Sequence, residues 1–127
     1  MATSYTQGRN AGEFLISEAN GDLSRDEITV ASGQNLVAGA VISLVTASGH
    51  YAAYLNTGSA GQETAAGILL EAVDASSAAT KGVGILRHAE VNANEINWGS
   101  VNAAGITAGK ADLAAAGIDI LVRTAIG

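Results

Sequence analysis

His50 and His88 are the chain's two imidazoles, so acid–base chemistry near neutral pH would have to use one of them. A hydrolase also needs a nucleophile and an oxyanion site held against that base. His50 follows Ala47-Ser48-Gly49, a turn-like tripeptide where an exposed histidine needs no catalytic explanation. His88 lies in Leu86-Arg87-His88-Ala89-Glu90 and reads as a strand-face or interface histidine. The sequence holds neither a Gly-x-Ser-x-Gly elbow nor a His-Glu-x-x-His zinc motif. Glu71 and Asp74 could be proposed as an acid–base pair. An exposed strand edge followed by a turn residue describes them more simply.

Two other patterns resemble known sites without completing them. Asp22-Leu23-Ser24-Arg25-Asp26 spaces oxygen ligands as a calcium loop does. The sixth position is Glu27 where that loop needs glycine, and the twelfth is Gly33 where it needs a bidentate glutamate. Gly82-Val83-Gly84 begins a dinucleotide fingerprint, but Arg87 stands where its third glycine belongs, and no phosphate-binding loop occurs. These glycines read as sites of close packing or a bulge. No cofactor, no metal and no catalytic residue is expected, and the chain is not read as an enzyme.

What must hold such residues is a small domain. The 127 residues suit one domain, and Leu, Ile, Val and Phe together number 30, enough to fold. Ala (26) and Gly (16) make up a third of the chain, while aromatics number only five, so the core is thin. Without cysteine there is no disulfide staple, and self-association is the expected supplement. The net charge of −6 is spread along the chain with no basic stripe, which argues against nucleic acid as a partner. No apolar run approaches the roughly 18 residues of a membrane span. The first ten residues lack a basic segment followed by an apolar core, so no signal peptide is expected and synthesis in the cytoplasm is.

Residues 1–12 are polar and aperiodic and predict an extended arm; residues 13–127 predict a single β-rich domain. Strands are expected over 13–19, 27–31, 41–46 and 50–55, with Asn20-Gly21-Asp22 turning after the first and Gly49 at a hairpin tip. Two longer strands, 66–73 and 83–91, flank a polar connection and form the strongest pattern in the sequence. A helix is predicted over 108–116, with Thr107 as N-cap and Gly117 as the left-handed C-terminal residue. Ile118, Ile120 and Val122 then share one face of a last strand. The fold class is β-rich α+β: a compact small-barrel or sandwich-like domain with six or seven strands, one late helix and an N-terminal arm. Trp98 is the one tryptophan and reads as a packing anchor or a subunit contact.

Several segments, in order, resemble the lambda-type bacteriophage head decoration proteins. They are Gly-Ile-Leu-Leu-Glu-Ala-Val-Asp-Ala (67–75), Val-Gly-Ile-Leu-Arg-His-Ala-Glu-Val-Asn (83–92), Ile-Asn-Trp (96–98) and the late Ala-Leu-rich helix ending Ala-Gly-Ile (114–118). Upstream, Leu-Val-Ala-Gly-Ala-Val-Ile (36–42) and Thr-Ala-Ser-Gly-His-Tyr (46–51) extend the likeness, which spans roughly 33–123. The resemblance implies a homotrimer on the outer surface of the virion's expanded capsid, at three-fold and quasi-three-fold positions. There it would clamp major capsid protein subunits against packaged DNA, with no catalysis, no membrane and no cofactor. It also implies a capsid-binding arm, matching Ala2, Thr3, Ser4, Tyr5, Thr6, Gln7, Gly8, Arg9 and Asn10, without the prolines of some relatives. A small β-barrel carbohydrate-binding or adhesin-like module is the alternative. Five aromatics are few for the platform it would need.

Overall fold

The computed structural model describes residues 15–18, 24–93, 95–99, 101–115 and 118–123. Among them run ten strands and one helix: β1 (Leu15–Glu18), β2 (Arg25–Val30), β3 (Gln34–Leu36), β4 (Val41–Val45), β5 (His50–Ala53), β6 (Gly67–Leu69), β7 (Val73–Ala75), β8 (Thr80–Ile85), β9 (Ala89–Asn92), α1 (Ala103–Ala114) and β10 (Ile120–Arg123). Strands β2-β5-β4-β6-β8 close a barrel, β1-β9-β10 form a separate sheet, and β3 pairs with β7. The protein is a β-rich α+β domain built on a small closed barrel with a late helix.

The two long apolar runs are each broken. Residues 66–73 divide because β6 stays in the barrel between β4 and β8, while β7 leaves to pair with β3, Leu36 opposite Val73. Residues 83–91 divide because β8 remains in the barrel and β9 becomes the centre of the three-stranded sheet. The chain turns out of the barrel at His88, whose φ of 54° is left-handed. The two runs pair with each other where both are in the barrel, with Ile68 opposite Ile85. The hairpin around Gly49 is also present: Leu44 faces Tyr51, and Gly49 turns with φ 76°.

Alternation places two cores on opposite faces of the same barrel strands. Val41, Ile68 and Ile85 face outward into a cluster with Val91, Leu113 and Ile120, under the helix and the three-stranded sheet. Ile42 and Leu69, next to them in sequence, join Ile28 and Val30 in the second cluster. Residues from several barrel strands meet this way only when they point inward. Gly84 faces the same interior, where an added Cβ would lie 3.3 Å from Ile28 and 3.5 Å from Ile42. A Cβ on Gly82 would meet Val73 at 2.6 Å. The Gly82-Val83-Gly84 run thus fits a narrow barrel already filled by neighbouring side chains.

The helix begins earlier than the sequence predicts. Asn102, not Thr107, is the N-cap, its side-chain oxygen accepting from Gly105 N–H at 2.8 Å. It ends at Ala115, whose N–H donates to the Asp112 carbonyl at 3.2 Å; Gly117 lies outside the described residues. The turn at 20–22 lies outside them too. Ile118, Ile120 and Val122 all pack against the outer core, as their shared face predicts.

Candidate functional site

The residues singled out for chemistry are spread over the domain, and Ser24, Asp26 and Asp74 among them are committed to structural contacts. Ser24, buried beneath the His88 turn, donates its hydroxyl to the His88 backbone carbonyl at 2.9 Å. The hydroxyl is therefore spent on backbone, and the His88 imidazole faces Asp119 instead, with Nδ1 3.9 Å from Oδ2. His50 opens β5, where its N–H donates to Ser48 Oγ at 3.2 Å.

The carboxylates divide the same way. Asp26 pairs with Arg87, and Glu27 lies 4.0 Å from Lys81, so cationic side chains on the barrel wall engage the described carboxylates of the calcium-like run. Asp22 lies outside the described residues. Asp74 accepts from Ser76 Oγ at 2.6 Å and Ser76 N at 3.0 Å. These two bonds hold its carboxyl below the usual carboxylate range. A carboxylate tied into its own turn is poorly placed as the proton donor of a pair with Glu71. Among the described residues, no three His, Asp or Glu side chains gather as a metal site.

Trp98 is the sequence candidate whose surroundings are most developed. Its ring stands edge-on to Tyr54, centroids 6.0 Å apart and planes at 71°. Both rings lie against α1 at Gly109, where an added Cβ would sit 2.5 Å from Trp98 and 2.9 Å from Tyr54. Tyr54 is buried and donates its hydroxyl to the Gly105 carbonyl at 2.8 Å. Asp112, further along the helix, accepts from Ala65 N–H at 3.0 Å. Burial, reinforced by the Asp112 carboxylate, pushes the Tyr54 phenol up from its ordinary value. Sequence reasoning misses this anchoring set of Tyr54, Gly105, Gly109 and Asp112. The available signal is the pair of glycines four residues apart, which one helix face would carry together.

Trp98 also borders a surface groove with Leu36, Val37, Ala40 and Asn97. The arm residues from Ala2 to Asn10 lie outside the described residues.

The family model described as bacteriophage lambda head decoration protein D matches residues 4–118. This chain belongs to that family. The match begins well upstream of the segments that carry the resemblance and takes in residues 4–12 of the polar arm. It stops at Ile118, before β10. No curated protein matches the chain. Membership makes this a structural protein of the phage head, associated with the capsid. Among the described residues, no helix is long and apolar enough to cross a membrane.

Proposed function

We propose that this chain is a homotrimeric decoration, or cement, protein that binds the outside of the expanded phage capsid at three-fold and quasi-three-fold sites. There it clamps major capsid protein subunits against the pressure of packaged DNA. The family match over residues 4–118 carries the proposal. Two physical features support it. A closed barrel leaves no open edge in its largest sheet, which suits a rigid exterior module. The carboxylates and hydroxyls best placed for chemistry are occupied in turns and backbone contacts.

Residues 1–12 act as the arm and residues 13–127 as the folded body. An extended arm binds by donating backbone hydrogen bonds to an exposed sheet edge of the capsid protein. Ordering one arm weakens its individual affinity. Three arms on one trimer compensate through effective concentration, by about 10²–10⁴-fold. The protein is made in the host cytoplasm and ends on the virion surface.

The deciding experiment adds the full chain, and a chain lacking residues 1–12, to purified expanded and unexpanded heads. The full chain should decorate expanded heads selectively, and the truncated chain should lose most of that binding. Failure of the full chain to bind heads would sink the decoration reading. Equal binding by the truncated chain would sink the arm alone.

A further inference from the structure

Every barrel strand has two neighbours, but the seam between β2 and β5 is short. β2 pairs with β8 along its whole length, from Arg25 opposite Ile85 to Val30 opposite Thr80. Its other neighbour, β5, runs parallel to it and meets it at one pair, Val30 with Tyr51. β5 begins only at His50, because the chain before it is still turning: Gly49 N–H donates back to the Val45 carbonyl at 2.9 Å. From Asp26 to Thr29, no described strand lies along that side of β2.

Two bonds fix which backbone groups face this gap, since those of successive strand residues point to opposite sides. Leu86 N–H donates to the Ser24 carbonyl at 2.8 Å, so even-numbered residues here turn toward β8. Ala31 N–H donates to the Tyr51 carbonyl at 2.8 Å, so odd-numbered residues turn toward β5. The Glu27 N–H and carbonyl and the Thr29 N–H therefore point into the gap. No backbone bond from a described residue reaches them there. Further along the same seam, such groups are covered. Ala53 of β5 has its N–H bound by Gln34 Oε1 at 3.1 Å and its carbonyl by Gln62 Nε2 at 2.9 Å. Two side-chain amides stand there in place of a strand.

The walls of the gap indicate what fills it. It is a surface recess with Ile28, Tyr51 and Leu86 on one side and Asp26, Glu27 and Lys81 around it. Tyr51 and Leu86 both pack against the inner core, so the apolar part is firmly backed. Open backbone groups on a strand side are matched by another extended backbone. Alternate side chains of such a segment would lie on Tyr51 and Leu86 or stand outward beside Glu27. Glu27 is exposed and the chain carries −6, which favours cations on the outward positions and repels anions. We propose that the open side of β2 at Glu27–Thr29 receives an extended segment of another protein, alternating apolar and basic residues, as an added strand in line with β5. Here the body receives a strand, so the proposal stands independently of the arm and of the homotrimer.

The test is amide NMR on the full chain, with the end-blocked peptide Thr-Val-Lys-Val-Lys-Val-Thr as probe. In the free chain, the Glu27 and Thr29 amide protons should exchange roughly tenfold faster than those of Ile28 and Val30, which face β8. Adding the peptide should slow both exchanges roughly tenfold and shift the resonances of Glu27, Thr29 and Gly49. Two further peptides carry backbone N-methyl groups on every valine or on every lysine. Only one of these sets faces β2, so one peptide should lose binding about tenfold and the other should keep it. Glu27→Lys, at an exposed position that spares the fold, should weaken the unmethylated peptide about threefold. Glu27 and Thr29 amides as protected as their neighbours in the free chain would overturn the proposal, because the side would already be covered. So would failure of the unmethylated peptide to bind, or equal binding by all three peptides. Unchanged binding to the Glu27→Lys chain would overturn the basic character assigned to the partner.

Discussion

Tyr54 and Gly105 are joined by a buried hydrogen bond, the tyrosine hydroxyl donating to the helix carbonyl at 2.8 Å. The bond is possible because α1 presents glycine, not a larger residue, to the barrel. The helix buries Gly105, Gly109 and Leu113, a single stripe at intervals of four. Glycine weakens a helix considered alone. Here it lets the backbone approach Tyr54, Trp98 and Asn56 closely enough for direct contact. The helix is held by fit at this stripe and by the Asp112–Ala65 bond, with little help from a broad apolar face.

Gly109→Ala should therefore destabilise the protein despite improving helix propensity. The propensity gain is about 1 kcal/mol. Against it, the new methyl would stand 2.5 Å from Trp98 and 2.9 Å from Tyr54. Overpacking of this kind costs about 1–3 kcal/mol, and two supported rings have little room to retreat. Thermal denaturation should show the midpoint falling by several degrees. A midpoint equal to or above the parent's would show that the rings move aside.

The same stripe explains why the helix was only half legible. Ala-rich residues after Thr107 announce a helix, but Asn102 and Gly105, ahead of them, look like loop residues when only local propensity is weighed. Tertiary packing overrides that local weakness. The two long strands fail for a related reason: apolar residues continue through Leu70 and Leu86 while the chain changes sheets, so hydrophobicity carries no mark of the break. Residues 34–36 form β3 through partnership with β7, distant in sequence and invisible to a local window. The β4–β5 hairpin was legible because its turn and both strands are contiguous. Trp98 stood out by type, whereas its partners Tyr54 and Gly109 are 44 and 11 residues away in the chain.

Tyr54→Phe should cost about 1 kcal/mol near neutral pH, the net worth of one buried hydrogen bond. Its alkaline behaviour provides a second, sharper signature. The folded-state phenol is raised above its ordinary value by burial, then by Asp112. A raised pKa means its contribution is complete below the unfolded-state value and is lost as pH rises toward the folded value. Denaturant titrations from pH 8 to 11 should show the parent losing stability relative to the phenylalanine variant above about pH 10. Parallel curves would place the Tyr54 hydroxyl outside the linkage.

Asp74 gives the opposite sign at the other end of the scale. Ser76 holds its carboxyl below the ordinary range, first through the hydroxyl and then through the backbone N–H. A depressed pKa contributes stability above the unfolded-state value and loses it as pH falls through the folded one. Ser76→Ala removes the stronger bond but keeps the backbone one. The Asp74 carboxyl should then titrate closer to its ordinary value, as followed by carboxyl-carbon NMR between pH 2 and 6. No movement would assign the shift to the backbone bond alone.

Ser43 is the place where substitution should strengthen the fold. It lies in β4, fully buried, and its Oγ has no hydrogen-bond partner. An unsatisfied buried hydroxyl costs about 1–3 kcal/mol relative to a satisfied one. Alanine removes the oxygen and leaves a cavity of only one atom, so the packing loss is small. The backbone pairing of β4 with β5, Ser43 opposite Ala52, does not depend on the side chain. Ser43→Ala should therefore raise stability by about 1 kcal/mol in denaturant unfolding with an unchanged slope. A loss of stability instead would mean that the hydroxyl holds a buried water, which a high-resolution crystal structure of the parent would reveal.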